Sequence, residues 1–128
     1  MTTFTPLEHA ALVAILAEGP KDRAVIEHQL LHSNVVSRQN TGGGFFADLK
    51  VDPSAGAIEK KTAALGENVW IGIDGLELGL GMILHFEDGR ASLLEGYAVG
   101  PEDTSSVDFA HARYAVLSEP GPLPVNGS

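Results

Sequence analysis

The pattern of apolar positions divides the chain into a helical start and a longer part that alternates with period two. In the start, Thr5 is placed as an N-cap, Pro6 takes the first helical position and Glu8 completes a T-x-x-E capping box. Gly19-Pro20 closes this helix. Its body, AALVAILA, is apolar all round, which predicts burial on more than one face. A second helix is expected over about Lys21–His32, with Ala24, Val25, Ile26, Leu30 and Leu31 spread around its axis. Two short helices cannot enclose one another completely. The excess apolar surface makes a homodimer contact through the helices an expectation.

Beyond the helices, Val35–Gln39 and Phe45–Val51 read as strands joined by the turn Thr41-Gly42-Gly43-Gly44. In the second, Phe45, Ala47, Leu49 and Val51 alternate with Phe46, Asp48, Lys50 and Asp52. Asp52–Gly66 is a longer connection carrying Pro53, Gly56 and the basic pair Lys60-Lys61, with room for a helical turn. Two Asp-Gly dipeptides then stand between alternating runs, the strongest short-range hairpin signal. With two-residue turns, Asp88-Gly89 sets Phe86 opposite Ala91, Leu84 opposite Leu93, Met82 opposite Glu95 and Leu80 opposite Tyr97. Asp74-Gly75 likewise sets Ile73 opposite Leu76, Ile71 opposite Leu78, Val69 opposite Leu80, and Trp70 opposite Gly79. Both turns give the shared strand the same core face, and only Glu95 on that face is polar. A three-residue loop with a bulge would instead pair Leu84 with Ser92, and the apolar pattern favours the first register.

Ala110–Leu117 is expected to add an edge strand, with a helix as the alternative. Residues 1–118 therefore form a single α+β domain, two N-terminal helices packed on a bent antiparallel sheet of about five or six strands. Residues 119–128 lack periodicity and are expected to be a flexible tail.

Composition narrows the function classes. Hydrophobic content of 44% against 20% charged is ordinary for a globular chain of 128 residues, and the absence of cysteine excludes disulfides and thiolate metal sites. The longest apolar run, Ala10–Ala17, is too short to span a bilayer and lacks the basic start of a signal peptide. A cytoplasmic location is expected. The formal charge is −9, and it is unevenly spread. From Glu67 onward ten acids face only Arg90 and Arg113, a balance of −8, which leaves −1 for the first sixty-six residues. That field argues against nucleic-acid and membrane partners and leaves a basic protein partner open.

Candidate chemistry centres on Glu95. A carboxylate on a core face costs several kcal/mol unless paired, so Arg38, Arg113, His85 or a tyrosine hydroxyl is required beside it. The two readings are a satisfied structural acid and a site acid at the base of a cleft. Glycines 72, 79, 81 and 96 would leave a shallow floor beside Trp70 for a ligand or a partner's side chain, unless close packing fills it. His28 and His32 stand at i and i+4, without the glutamate placement of zinc proteases or an evident third ligand. Gly42-Gly43-Gly44 is not a phosphate loop, since no G-K-[ST] follows. No metal and no cofactor are expected.

Met82–Phe86, Asp88-Gly89 and Leu94-Glu95-Gly96-Tyr97 together resemble a hairpin found in a group of small uncharacterised bacterial proteins. That group has no assigned activity, so the resemblance carries over no site residue. Helices followed by an antiparallel sheet are also similar to cystatin-like and NTF2-like folds, an analogy of fold and not of function. The expected function is a non-enzymatic protein-interaction module of bacterial type, immunity-like if a toxin gene adjoins its own. The alternative is a small-molecule binding protein or enzyme with a cleft containing Glu95. The candidate binding residues are Glu95, Tyr97, Trp70 and His85.

Overall fold

The computed structural model describes residues 4–59 and 63–124, so Lys60-Lys61 and the last four residues of the tail lie outside it. The elements run α1 (Pro6–Ala17), α2 (Arg23–Leu31), β1 (Ser33–Asn40), β2 (Gly44–Val51), β3 (Ala64–Leu65), β4 (Trp70–Ile73), β5 (Leu80–Glu87), β6 (Arg90–Ala98) and β7 (Tyr114–Leu117). All pairings are antiparallel, in the order β1-β2-β6-β5-β4-β7, with β3 beside β5 as well. The fold is α+β. The described part of the Asp52–Gly66 connection forms no helix, and Tyr114–Leu117 resolves the last element as a strand.

The capping box forms as its letters specify: Glu8 N donates to Thr5 Oγ1 and Thr5 N to Glu8 Oε1. Leu7, Ala11, Leu12, Ile15 and Leu16 face the sheet, whereas Val13 is 53% exposed. One face of α1 is thus buried, not several. Beneath it, the sheet's inner face carries Phe45, Ala47, Leu49, Ile71, Ile73, Leu80, Met82, Leu84 and Leu94, all buried. Gln29 of α2 is wholly buried and ties the helix to the hairpin: its Nε2 donates to Gly56 O (2.7 Å) and Gly89 O (2.9 Å), and Oε1 accepts from Ala91 N (3.0 Å).

Asp88-Gly89 is the expected two-residue turn, with positive φ at both residues (51° and 80°) as a type I′ turn requires. Glu87 faces Arg90 and Phe86 faces Ala91. There the expected register ends. A bulge at Ser92 shifts the ladder by one, so that His85 faces Leu93, Leu84 faces Leu94, Ile83 faces Glu95 and Gly81 faces Tyr97. Leu93, Glu95 and Tyr97 turn away from the core, and Leu94, Gly96 and Ala98 turn in. The reason is energetic. Either register buries one leucine, but the regular one also buries the Glu95 carboxylate, at several kcal/mol. A bulge forfeits about one ladder hydrogen bond, worth about 1 kcal/mol. Gly96 fits the slipped register too, since a Cβ there would lie 2.5 Å from Phe45 Cε2.

Asp74-Gly75 departs in a different way. Only Gly75 has positive φ, Leu76 N donates to Ile73 O, and β5 begins at Leu80, so Ile71 pairs with Leu80 and Trp70 with Gly81 instead of Gly79. The shift is two residues, which preserves the faces. Leu78 falls in the loop and is 40% exposed, contrary to its expected core position.

Candidate functional site

The slip gathers all four candidate residues on the outer face of the sheet, away from the helices. Facing residues form three rows across the strands. Trp70, Gly81, Tyr97 and Gly44 make the first, Ile83, Glu95, Phe46 and Gln39 the second, and Ala64, His85, Leu93, Asp48 and Ser37 the third. Leu117 flanks Trp70. Trp70, Tyr97, Phe46, Ile83 and Leu93 are all half-buried, so the face presents apolar surface to water at its centre.

Within it, His85 Nε2 lies 2.8 Å from Glu95 Oε1, with the two side chains 35% and 26% exposed. An ionised carboxylate only accepts, so the imidazole Nε2 carries the proton. This contact holds one carboxylate oxygen in place. Trp70 and Tyr97 meet edge to face, ring centroids 6.5 Å apart. Gly81 supplies the space: a Cβ there would run into the Tyr97 ring. The glycines leave no open floor. Tyr97 covers Gly81, Phe45 fills the space at Gly96, Leu117 and the chain at Leu123 close over Gly72, and Gly79 (φ 69°) belongs to the loop before β5. Ser37 Oγ donates to Asp48 Oδ2 at 2.6 Å and finishes the third row.

The acid that is buried is Glu8, 2% exposed. Arg38 grips it in bidentate fashion, Nε to Oε2 at 2.8 Å and Nη2 to Oε1 at 2.9 Å, while Thr5 N supplies a third donor. These hydrogen bonds, donated to Glu8, hold the guanidinium above its ordinary range. Arg38 therefore serves Glu8 and not Glu95. The capping motif marks Glu8 as a helix start, and nothing local in the sequence indicates that β1 brings an arginine to it. Phe46, Ile83 and Leu93 complete the surface without any mark of chemistry in their own side chains. Phe46 alternates with the buried Phe45, which was the available signal.

His28 and His32 have ring centroids 4.4 Å apart with their planes tilted by 50°, and both are exposed. Among the described residues no group of three or more His, Asp or Glu side chains is placed to hold a metal ion. No helix among them is long and apolar enough to cross a membrane. Five clefts among the described residues lie away from Glu95, the most apolar of them between α1 and α2. Comparison with protein-family models, curated proteins and solved structures finds no match to this chain.

Proposed function

We propose that the chain is a non-enzymatic protein-interaction module whose outer sheet face docks a basic protein. The observation that carries this reading is the half-exposed group Trp70, Tyr97, Phe46, Ile83 and Leu93 around the His85–Glu95 pair. Aromatic anchors with an oriented charge among them are the composition of a binding hot spot. The strands β4 to β7 come from the part of the chain with a balance of −8, which suits a partner of opposite charge. The core beneath is filled, and Glu95 lies on the open face of a sheet. An enzyme or small-molecule site built on Glu95 would call for an enclosed cleft there, and this placement weighs against it.

The test is affinity capture with the chain and with Trp70→Ala and Glu95→Lys variants, followed by reconstitution with the purified captured protein. A basic partner that binds the chain at least about tenfold more tightly than either variant is expected. Binding indifferent to both substitutions would refute the reading.

A further inference from the structure

The helical side of the molecule carries a second surface, opposite the sheet face and independent of the function proposed for it. α1 and α2 do not close on one another, and the groove between them, about 380 Å³, is floored by the buried Leu12, Leu16 and Leu30. Two exposed apolar side chains stand at its edge, Val13 at 53% and Leu31 at 69%. We infer that this face is the contact between two copies of the chain in solution, Val13 and Leu31 of each copy entering the groove of the other.

The patch is self-complementary. A two-fold contact needs protrusion and recess on one patch, and here both lie side by side. Rim charges suit the same arrangement: Arg23 Nε and Glu27 Oε1 pair at 2.7 Å within one helix, exposed, and can exchange partners across a two-fold axis. Charge favours the same occupant. A chain of net charge −9 meets its own copy most easily where its acids are fewest, and residues 4–32, which hold both helices, carry four acids against two bases, a balance of −2, where the chain from Glu67 onward has −8.

Size sets the strength. Twelve residues make α1 about 18 Å long, and the two helices side by side span about 20 Å. That face falls short of the roughly 800 Å² per partner of a standard interface, so the dimer is a weak one that dissociates on dilution. Since the helices and the outer sheet face lie on opposite sides, such a dimer leaves two sheet faces free.

Sedimentation equilibrium of the full chain, from low micromolar to several hundred micromolar, tests this. The mass should rise with concentration toward twice the monomer. Val13→Asp and Leu31→Asp should each weaken the dimer at least about tenfold, while Val116→Asp, an exposed position on β7, leaves it unchanged. Circular dichroism confirms that each variant folds, and Leu31 lies at the end of α2, where a polar residue is easily carried. A monomer at every concentration overturns the inference, as does a dimer that both helix variants leave intact. Binding of an apolar dye in the groove of a persistent monomer also overturns it, by giving the groove a small-molecule occupant.

Discussion

His85 Nε2 and Glu95 Oε1 lie 2.8 Å apart on the outer face, although a regular hairpin on the Asp88-Gly89 turn would put them on opposite faces. One unpaired residue, Ser92, makes the contact possible. Its hydroxyl donates to His85 O at 3.3 Å, so the strand edge at the bulge keeps a partner. The site and the core are two consequences of one slip.

The slip makes neighbouring leucines unequal. Leu94 is fully buried and Leu93 is not. Leu94→Ala is expected to cost about 3 kcal/mol in urea denaturation, and Leu93→Ala less than about 1 kcal/mol. Glu95→Gln, at a half-exposed pair, should change stability by no more than about 1 kcal/mol.

The sequence announces the elements better than their partners. Thr5, Pro6 and Glu8 define the start of α1 by chemistry that acts within one turn, and Asp88-Gly89 defines a turn for the same reason. The slip at Ser92 is not local. It depends on the cost of burying Glu95 and on Phe45 needing room at Gly96, a residue on a different strand. The doublet Leu93-Leu94 satisfies either register, so alternation alone cannot choose between them. Trp70, Tyr97, His85 and Glu95 were recognisable as unusual letters, but their common face depended on the slip.

The Glu8–Arg38 pair should respond asymmetrically. Glu8 is the buried member, whereas the Arg38 side chain is 41% exposed. Arg38→Met strips the buried carboxylate of its charged partner and is expected to cost about 3 kcal/mol. Glu8→Gln leaves the guanidinium able to hydrate and should cost about 1 kcal/mol. Chemical denaturation of the two single variants and the double variant measures both losses and the coupling.

Gln29→Leu preserves volume but leaves Ala91 N, Gly89 O and Gly56 O without their side-chain partner. A loss of about 2–3 kcal/mol is expected. Amide exchange at Ala91 should accelerate more than at Leu84, because the turn loses its tie to α2 while the centre of the ladder is intact.

Acid should weaken three loop contacts. Asp52, Asp103 and Asp108 all titrate below the ordinary carboxylate range, held there chiefly by hydrogen bonds from Ser54, Ser105 and His111 respectively. A lowered folded-state value means stabilisation that is present above about pH 4 and is lost as pH falls through the folded value. All three groups are fully exposed, so the contribution of each is small. Carboxyl carbon shifts followed by NMR should show these three midpoints below the ordinary aspartate value.

The face that carries Glu95 decides both the core and the site, and a nuclear Overhauser spectrum of the hairpin reads it directly. Cross-strand contacts of Glu95 with Ile83 and Phe46, and of its side-chain protons with the His85 ring, are expected. Contacts of Glu95 with Met82 and with Ile15 of α1 would instead place the carboxylate in the core and contradict the slipped register.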